Sequence, residues 1–120
     1  MSIKISRKTG EITLKTANTA YVMTRKHDDF LVHTYYGKNA RGVKYDYHNP
    51  LMSFSPYHEK LGYDYLPDTV LSECPFFGYG DFRAEALKLR DLSTGCDTTD
   101  FTYVCAKRFA GRKEIPGLPY

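Results

Sequence analysis

Residues 29–37 read DFLVHTYYG. Phe30 to Tyr36 is a run of apolar, aromatic and β-branched side chains broken only by His33. It is apolar or aromatic on both faces, the pattern of a strand in the middle of a sheet. Working back toward the N-terminus, AYVMTRK (20–26) is a second strand, and KHDD (26–29) is the turn between the two, with Asp28 and Asp29 suited to Asx-type hydrogen bonds. EITLK (11–15) alternates, placing Ile12 and Leu14 on one face and Thr13 and Lys15 on the other. SIKIS (2–6) alternates in the same way around Ile3 and Ile5. Gly10 can take the positive φ of the hairpin turn between them. Toward the C-terminus, KNARG (38–42) turns again, and VKYDYH (43–48) sets Val43, Tyr45 and Tyr47 on one face. The reading is an all-β domain that starts as an antiparallel meander of five strands.

From Asn49 to about Arg83 this periodicity stops. Four prolines, Pro50, Pro56, Pro67 and Pro75, interrupt the stretch. An irregular loop this long inside a small domain is uncommon and often functional. A short helical turn around Asp68 to Ser72 is the one regular element expected there. Beyond it come ALKLRDL (86–92), a candidate strand or short helix, then the turn STGCDTTD (93–100) and a long strand, FTYVCAKRF (101–109). GRKEIPGLPY (111–120) reads as an extended tail.

The 120 residues fit one domain, able to bury a core with little margin. A net charge of +3 does not by itself describe a nucleic-acid protein, because the basic residues do not cluster on one periodic face. The densest group, Lys107, Arg108, Arg112 and Lys113, reads as a solvated strand end. No stretch approaches a membrane span, and MSIKISRKTG has no apolar signal core. Three cysteines without a CxxC pair argue against zinc and for reduced thiols in the cytoplasm. Eleven Tyr and seven Phe with no Trp suit β-strands, and also supply ring faces for carbohydrate.

Glycoside hydrolysis needs two carboxylates, about 5 Å apart for retention or about 6.5–9.5 Å for inversion. Asp64, Asp68, Glu73 and Asp81 are the candidates. The first three read as solvent or turn carboxylates. The four histidines show no HxxxH spacing, and His33 reads as a packed, hydrogen-bonded core residue. No metal site, cofactor motif or nucleophile elbow is legible. Gly78 and Gly80 in GYG fit a bend or bulge. Asp81 and Arg83, two apart in GDFR, point to one side of an extended segment and Phe82 to the other. They are either a buried pair holding a corner or a pair that reaches a partner.

The order of these strings resembles the N-terminal β-domain of bacterial α-galactosidases of glycoside hydrolase family 36. The matching stretches are TANTAYVM, DFLVHTYYGK, SFSP (53–56), DTVLSECPFFGYGDFR and GLP (117–119), in register through the chain. Each is weak alone, and five in order are specific. The resemblance implies a large N-terminal β-sandwich, a (β/α)₈ barrel that holds both catalytic aspartates, and a small C-terminal β-domain. Residues 1–120 are then the first part of a truncated supersandwich domain, with 49–83 as a long loop in it. One departure stands out. Many family members carry Asp-Arg shortly before F-S-P, an aspartate that can reach galactose, and this chain has Leu51 and Met52.

The resulting expectation is a non-catalytic fragment of a cytoplasmic α-galactosidase, without cofactor or metal. Its partners are the parent's barrel and, through the parent, an α-galactoside and further copies of the chain. Tyr47, His48, Asp81, Phe82 and Arg83 are the substrate-rim or inter-domain candidates. The alternative is a free-standing carbohydrate-binding β-sandwich that uses Tyr35, Tyr45, Tyr47 and Phe76 or Phe77 as its platform.

Overall fold

Alternation in SIKIS and EITLK becomes backbone register in the computed structural model, which describes residues 1–27, 30–40, 66–67, 69–79, 81, 83–99, 101–111 and 115–117. Strands β1 (Ser2–Ile5), β2 (Glu11–Lys15), β3 (Thr19–Lys26) and β4 (Phe30–Lys38) form one antiparallel sheet in the order β1-β2-β3-β4. The protein is all-β, and its regular part is a meander. The fifth strand expected at 43–48 lies outside the described residues, as does most of the 49–83 loop.

Each turn has a local cause. Gly10 takes φ 68°, as its place in RKTG requires. Ser6 N–H donates to Glu11 O (2.8 Å) and Gly10 N–H to Ser6 O (2.9 Å), closing the first hairpin. Thr16 and Thr19 close the second through Thr16 N–H to Thr19 O (2.9 Å) and a hydroxyl contact of 2.8 Å. At the third, His27 adopts φ 49°, a left-handed conformation in which histidine is several-fold enriched.

Register fixes the faces. Ile5 lies opposite Ile12, Ile12 opposite Met23, and Leu14 opposite Tyr21. Between β3 and β4 the pairing shifts at Val22/Met23: Val22 faces Tyr35, and Met23 faces His33. Thr34 is the extra residue of this bulge, and its hydroxyl donates to Thr24 Oγ1 (2.9 Å). One face therefore carries Ile3, Ile5, Ile12, Leu14, Tyr21, Met23, Leu31, His33 and Tyr36. The other carries Thr13, Ala20, Val22, Thr24, Phe30, Val32 and Tyr35.

The second face holds most of the core. Ala20, Val22 and Val32 are fully buried, and Val32 packs against Val70 and Phe30. Burying one such valine contributes about 1.5–2 kcal/mol. Thr13 is also buried, and its hydroxyl is satisfied by Glu11 Oε1 (2.7 Å). The polar face expected for β2 is thus partly covered.

Strand β4 pairs with β3 on one side, and the strand expected to follow it at 43–48 lies outside the described residues. Its outer edge meets a single antiparallel bridge, Val32 to Ser72, with His33 N–H to Leu71 O (2.7 Å) and Glu73 N–H to Leu31 O (2.9 Å). Close to the short helical turn expected around Asp68 to Ser72, Thr69 N–H and Val70 N–H both donate to Leu66 O. Finally, neither 86–92 nor 101–109 joins a ladder. A strand pattern needs an edge to pair with, and 101–109 contributes side chains instead: Arg108 Nη1 donates to Ile3 O (3.1 Å), and Tyr103 lies under Arg25. The turn between them does form. Asp91 N–H donates to Cys96 O (2.9 Å), and the Ser93 hydroxyl donates to the Asp91 carboxylate (2.6 Å). The side-chain bond from Ser93, then its backbone N–H, hold the Asp91 carboxyl down at about 2.

Candidate functional site

Two polar clusters stand where loop meets sheet. The first is the corner in GDFR. Asp81 is 2% exposed. Its Oδ1 accepts Arg83 N–H (3.1 Å) and Arg83 Nε (2.8 Å), and its Oδ2 accepts Arg83 Nη2 (2.6 Å). The same Nη2 donates to Pro67 O (2.7 Å). A planar guanidinium suits this fork, which a lysine could not copy. The pair closes residues 67–83 into a loop whose ends are held together. Asp81 also lines the rim of a small void with Phe30, Pro67, Phe76 and Phe101. The rings of Phe76 and Phe101 lie 4.7 Å apart at 47°. Gly78 sits in a single 3₁₀ turn (Phe77–Tyr79), and its N–H donates to Thr99 O (2.9 Å).

The second cluster was not foreseen. Tyr21 Oη donates to both Glu73 oxygens (2.6 and 2.7 Å). His33 Nδ1 stands 3.4 Å from Glu73 Oε1. The Tyr21 ring lies 4.9 Å from the His33 ring and 6.0 Å from that of Tyr36. Burial, then the hydrogen bond and charge of Glu73, push the Tyr21 hydroxyl up to about 12. Glu73 is therefore not the solvent carboxylate that its loop sequence suggested. The Ser72 bridge turns it onto the face that carries Tyr21 and His33. His33 keeps a quarter of its side chain in water, so it belongs to this half-buried cluster rather than to the core.

Of the four carboxylates considered for hydrolysis, Glu73 and Asp81 thus have both oxygens engaged by the chain itself. Asp64 and Asp68 lie outside the described residues. So do Tyr47, His48 and Phe82 among the rim candidates, Tyr45 among the platform tyrosines, and Leu51 and Met52. Asp81 and Arg83 are brought together. Of the platform's described members, Tyr35 folds over Gly37 with its hydroxyl on Lys38 O (2.8 Å), Phe76 packs on Phe101, and Phe77 is exposed. Among the described residues no group of three metal-ligating side chains converges, and no helix is long and apolar enough to cross a membrane. Cys74, Cys96 and Cys105 are free and exposed.

The chain belongs to glycoside hydrolase family 36: the family's N-terminal domain matches residues 29–120. It is 31% identical over 121 residues to the α-galactosidase AgaA of Geobacillus stearothermophilus, covering 99% of this chain and 16% of that enzyme. The crystal structure of the family 36 α-galactosidase AgaB from the same organism superposes with a TM-score of 0.85 at 28% identity, over all of this chain and 16% of that one. The galactosidase domain of the α-galactosidase–sucrose kinase AgaSK of Mediterraneibacter gnavus gives 0.85 at 27%, covering 99% and 17%. The chain thus spans about one sixth of the length of these relatives.

Proposed function

We propose that this chain is a non-catalytic N-terminal portion of an α-galactosidase. Its work in the parent is to pack against the catalytic barrel, take part in subunit assembly, and carry the 49–83 loop to the active-site rim. The observation that carries the reading is the alignment of nearly the whole chain with one sixth of an α-galactosidase. The surface supports it. Leu87, Leu89, Leu92, Phe109 and Ile115 are all exposed, Leu92 at 93%. Apolar side chains left this exposed are ones that a covering partner would remove from water.

On this reading Asp81 and Arg83 act by holding the end of the loop, and Tyr47, His48 and Phe82 are the residues proposed to meet barrel or sugar. The engaged oxygens of Glu73 and Asp81 suit a segment that leaves chemistry to other domains. The deciding experiment is to sequence the reading frame beyond the Tyr120 codon. A frame that runs on into a (β/α)₈ barrel carrying two aspartates supports the proposal. A stop codon sinks it and favours the free-standing sugar-binding module.

A further inference from the structure

A regular strand puts residues three apart on opposite faces. His33 and Tyr36 are three apart, and the bulge at Thr34 brings them onto one face: Met23 pairs with His33, and Tyr21 pairs with Tyr36. Bulges are over-represented where a side chain is re-aimed beside a site. Here the re-aimed residues complete a group of four, from β3, β4 and the Ser72 bridge. Tyr21 Oη lies 2.6 and 2.7 Å from the two Glu73 oxygens. His33 Nδ1 lies 3.4 Å from Glu73 Oε1. The Tyr21 ring lies 4.9 Å from the His33 ring and 6.0 Å from the Tyr36 ring. Tyr21, His33 and Glu73 are half-buried, whereas Tyr36 is 67% exposed.

Acceptor capacity decides what this group can take. A carboxylate has about four lone-pair sites, and a tyrosine hydroxyl has one proton to give. Tyr21 Oη stands between the two Glu73 oxygens, where the fork of a bidentate guanidinium would sit. The outer lone pairs are left for single O–H donors. Among the described residues, His33 Nε2 makes no hydrogen bond, and a quarter of the His33 side chain is in water. The open side of the group therefore offers an aromatic ring, a carboxylate that accepts single hydroxyls, and an imidazole edge.

We propose that Tyr36, His33 and Glu73 form a binding subsite for a pyranoside. A pyranose ring has a face of C–H bonds, which stacks on the exposed Tyr36 ring. Its neighbouring hydroxyls donate singly to the Glu73 oxygens and meet His33 Nε2. The platform differs from the one expected from the sequence, because Tyr35 pairs with Val22 and lies on the other face. The subsite stands apart from the α-galactosidase reading, which the reading frame beyond Tyr120 tests separately. With one ring and water on its open side, the subsite should hold a sugar at roughly millimolar.

The test is saturation-transfer NMR on the 120-residue chain, with methyl α-galactoside, methyl α-glucoside and L-arginine as probes. The expected result is saturable transfer to methyl α-galactoside with a Kd of about 1–10 mM, strongest at the protons of one C–H face. Amide shifts in the unaltered chain should centre on His33, Tyr36 and Glu73. Tyr36→Ala, changed at an exposed position, should keep its far-UV circular dichroism and bind about fivefold more weakly or worse. Glu73→Gln, which keeps one acceptor oxygen and the shape, should also weaken binding. Weaker binding of methyl α-glucoside assigns a galactoside subsite, and equal binding assigns pyranosides in general. No saturable transfer to either sugar up to about 100 mM overturns the proposal, as does binding unchanged in Tyr36→Ala. Tighter binding of L-arginine than of both sugars also overturns it, since the cluster would then be a seat for a guanidinium.

Discussion

Asp81→Ala removes the acceptor of three hydrogen bonds at once, while Arg83 Nη2 keeps its bond to Pro67 O. Stranding one member of a well-buried ion pair costs about 3–5 kcal/mol. Arg83 keeps 39% of its side chain in water, so part of its abandoned charge is resolvated, as in exposed pairs worth about 1 kcal/mol or less. The expected loss falls between these limits, about 2 kcal/mol. Asp81→Asn keeps one acceptor and the shape but loses the charge, and should lose about 1 kcal/mol. Against a typical domain stability of about 5–15 kcal/mol, both are measurable. Urea unfolding followed by tyrosine fluorescence suits a chain with 11 Tyr and no Trp. The midpoint should fall in the order wild type, D81N, D81A at constant slope. The double variant D81A/R83A should lose less than the sum of its single changes, because the pair acts as a unit. A loss below about 0.5 kcal/mol for D81A, or full additivity, would refute the claim that this pair holds the corner.

The Tyr21 hydroxyl, pushed up to about 12, gives a pH signature. A group whose value is raised on folding stabilises fully below its unfolded value, near 10, and the benefit goes as pH rises through about 12. Stability should therefore fall between those limits in the wild type and stay flatter in Tyr21→Phe, measured by urea melts at stepped pH; identical profiles would discard the Tyr21–Glu73 bond. Gly37→Ala would put a Cβ 2.6 Å from the Tyr35 hydroxyl, forcing that ring off Lys38 O at a cost of about 1 kcal/mol. In a Tyr35→Ala background the same change should be nearly neutral, and an equal cost in both backgrounds would contradict the contact. The isolated chain, with apolar side chains exposed from Leu87 to Ile115, should self-associate at about 100 μM in light scattering. A sharp-lined monomer at that concentration would mean the surface needs no cover.

The four strands and their turns were legible because each depends on neighbours in sequence. Alternation in SIKIS and EITLK set the faces of β1 and β2, and the glycine of RKTG set the first turn. What was not legible depends on distance. Tyr21 and Glu73 lie 52 residues apart, and only the Ser72 bridge on β4 turns Glu73 toward Tyr21. The bulge at Thr34 is a property of two paired strands, so neither strand announces it. FTYVCAKRF has a strand's composition, but composition supplies no edge to pair with, and the segment lends Tyr103, Lys107 and Arg108 as side chains instead. The Asp81–Arg83 pair was visible as a pair, with its two alternatives equally open. Arg83 reaching Pro67 O was not visible, because nothing local brings residue 67 to residue 83.

The measurement that tests the central claim most directly is hydrolysis of p-nitrophenyl α-galactoside by the highly purified 120-residue chain. An N-terminal portion that leaves catalysis to a barrel should release no nitrophenol above the rate of a buffer blank, at any pH and at any chain concentration. Turnover that copurifies with the folded chain and is abolished by Asp81→Asn would contradict the account, because the carboxylate assigned here to a structural corner would then be doing the chemistry.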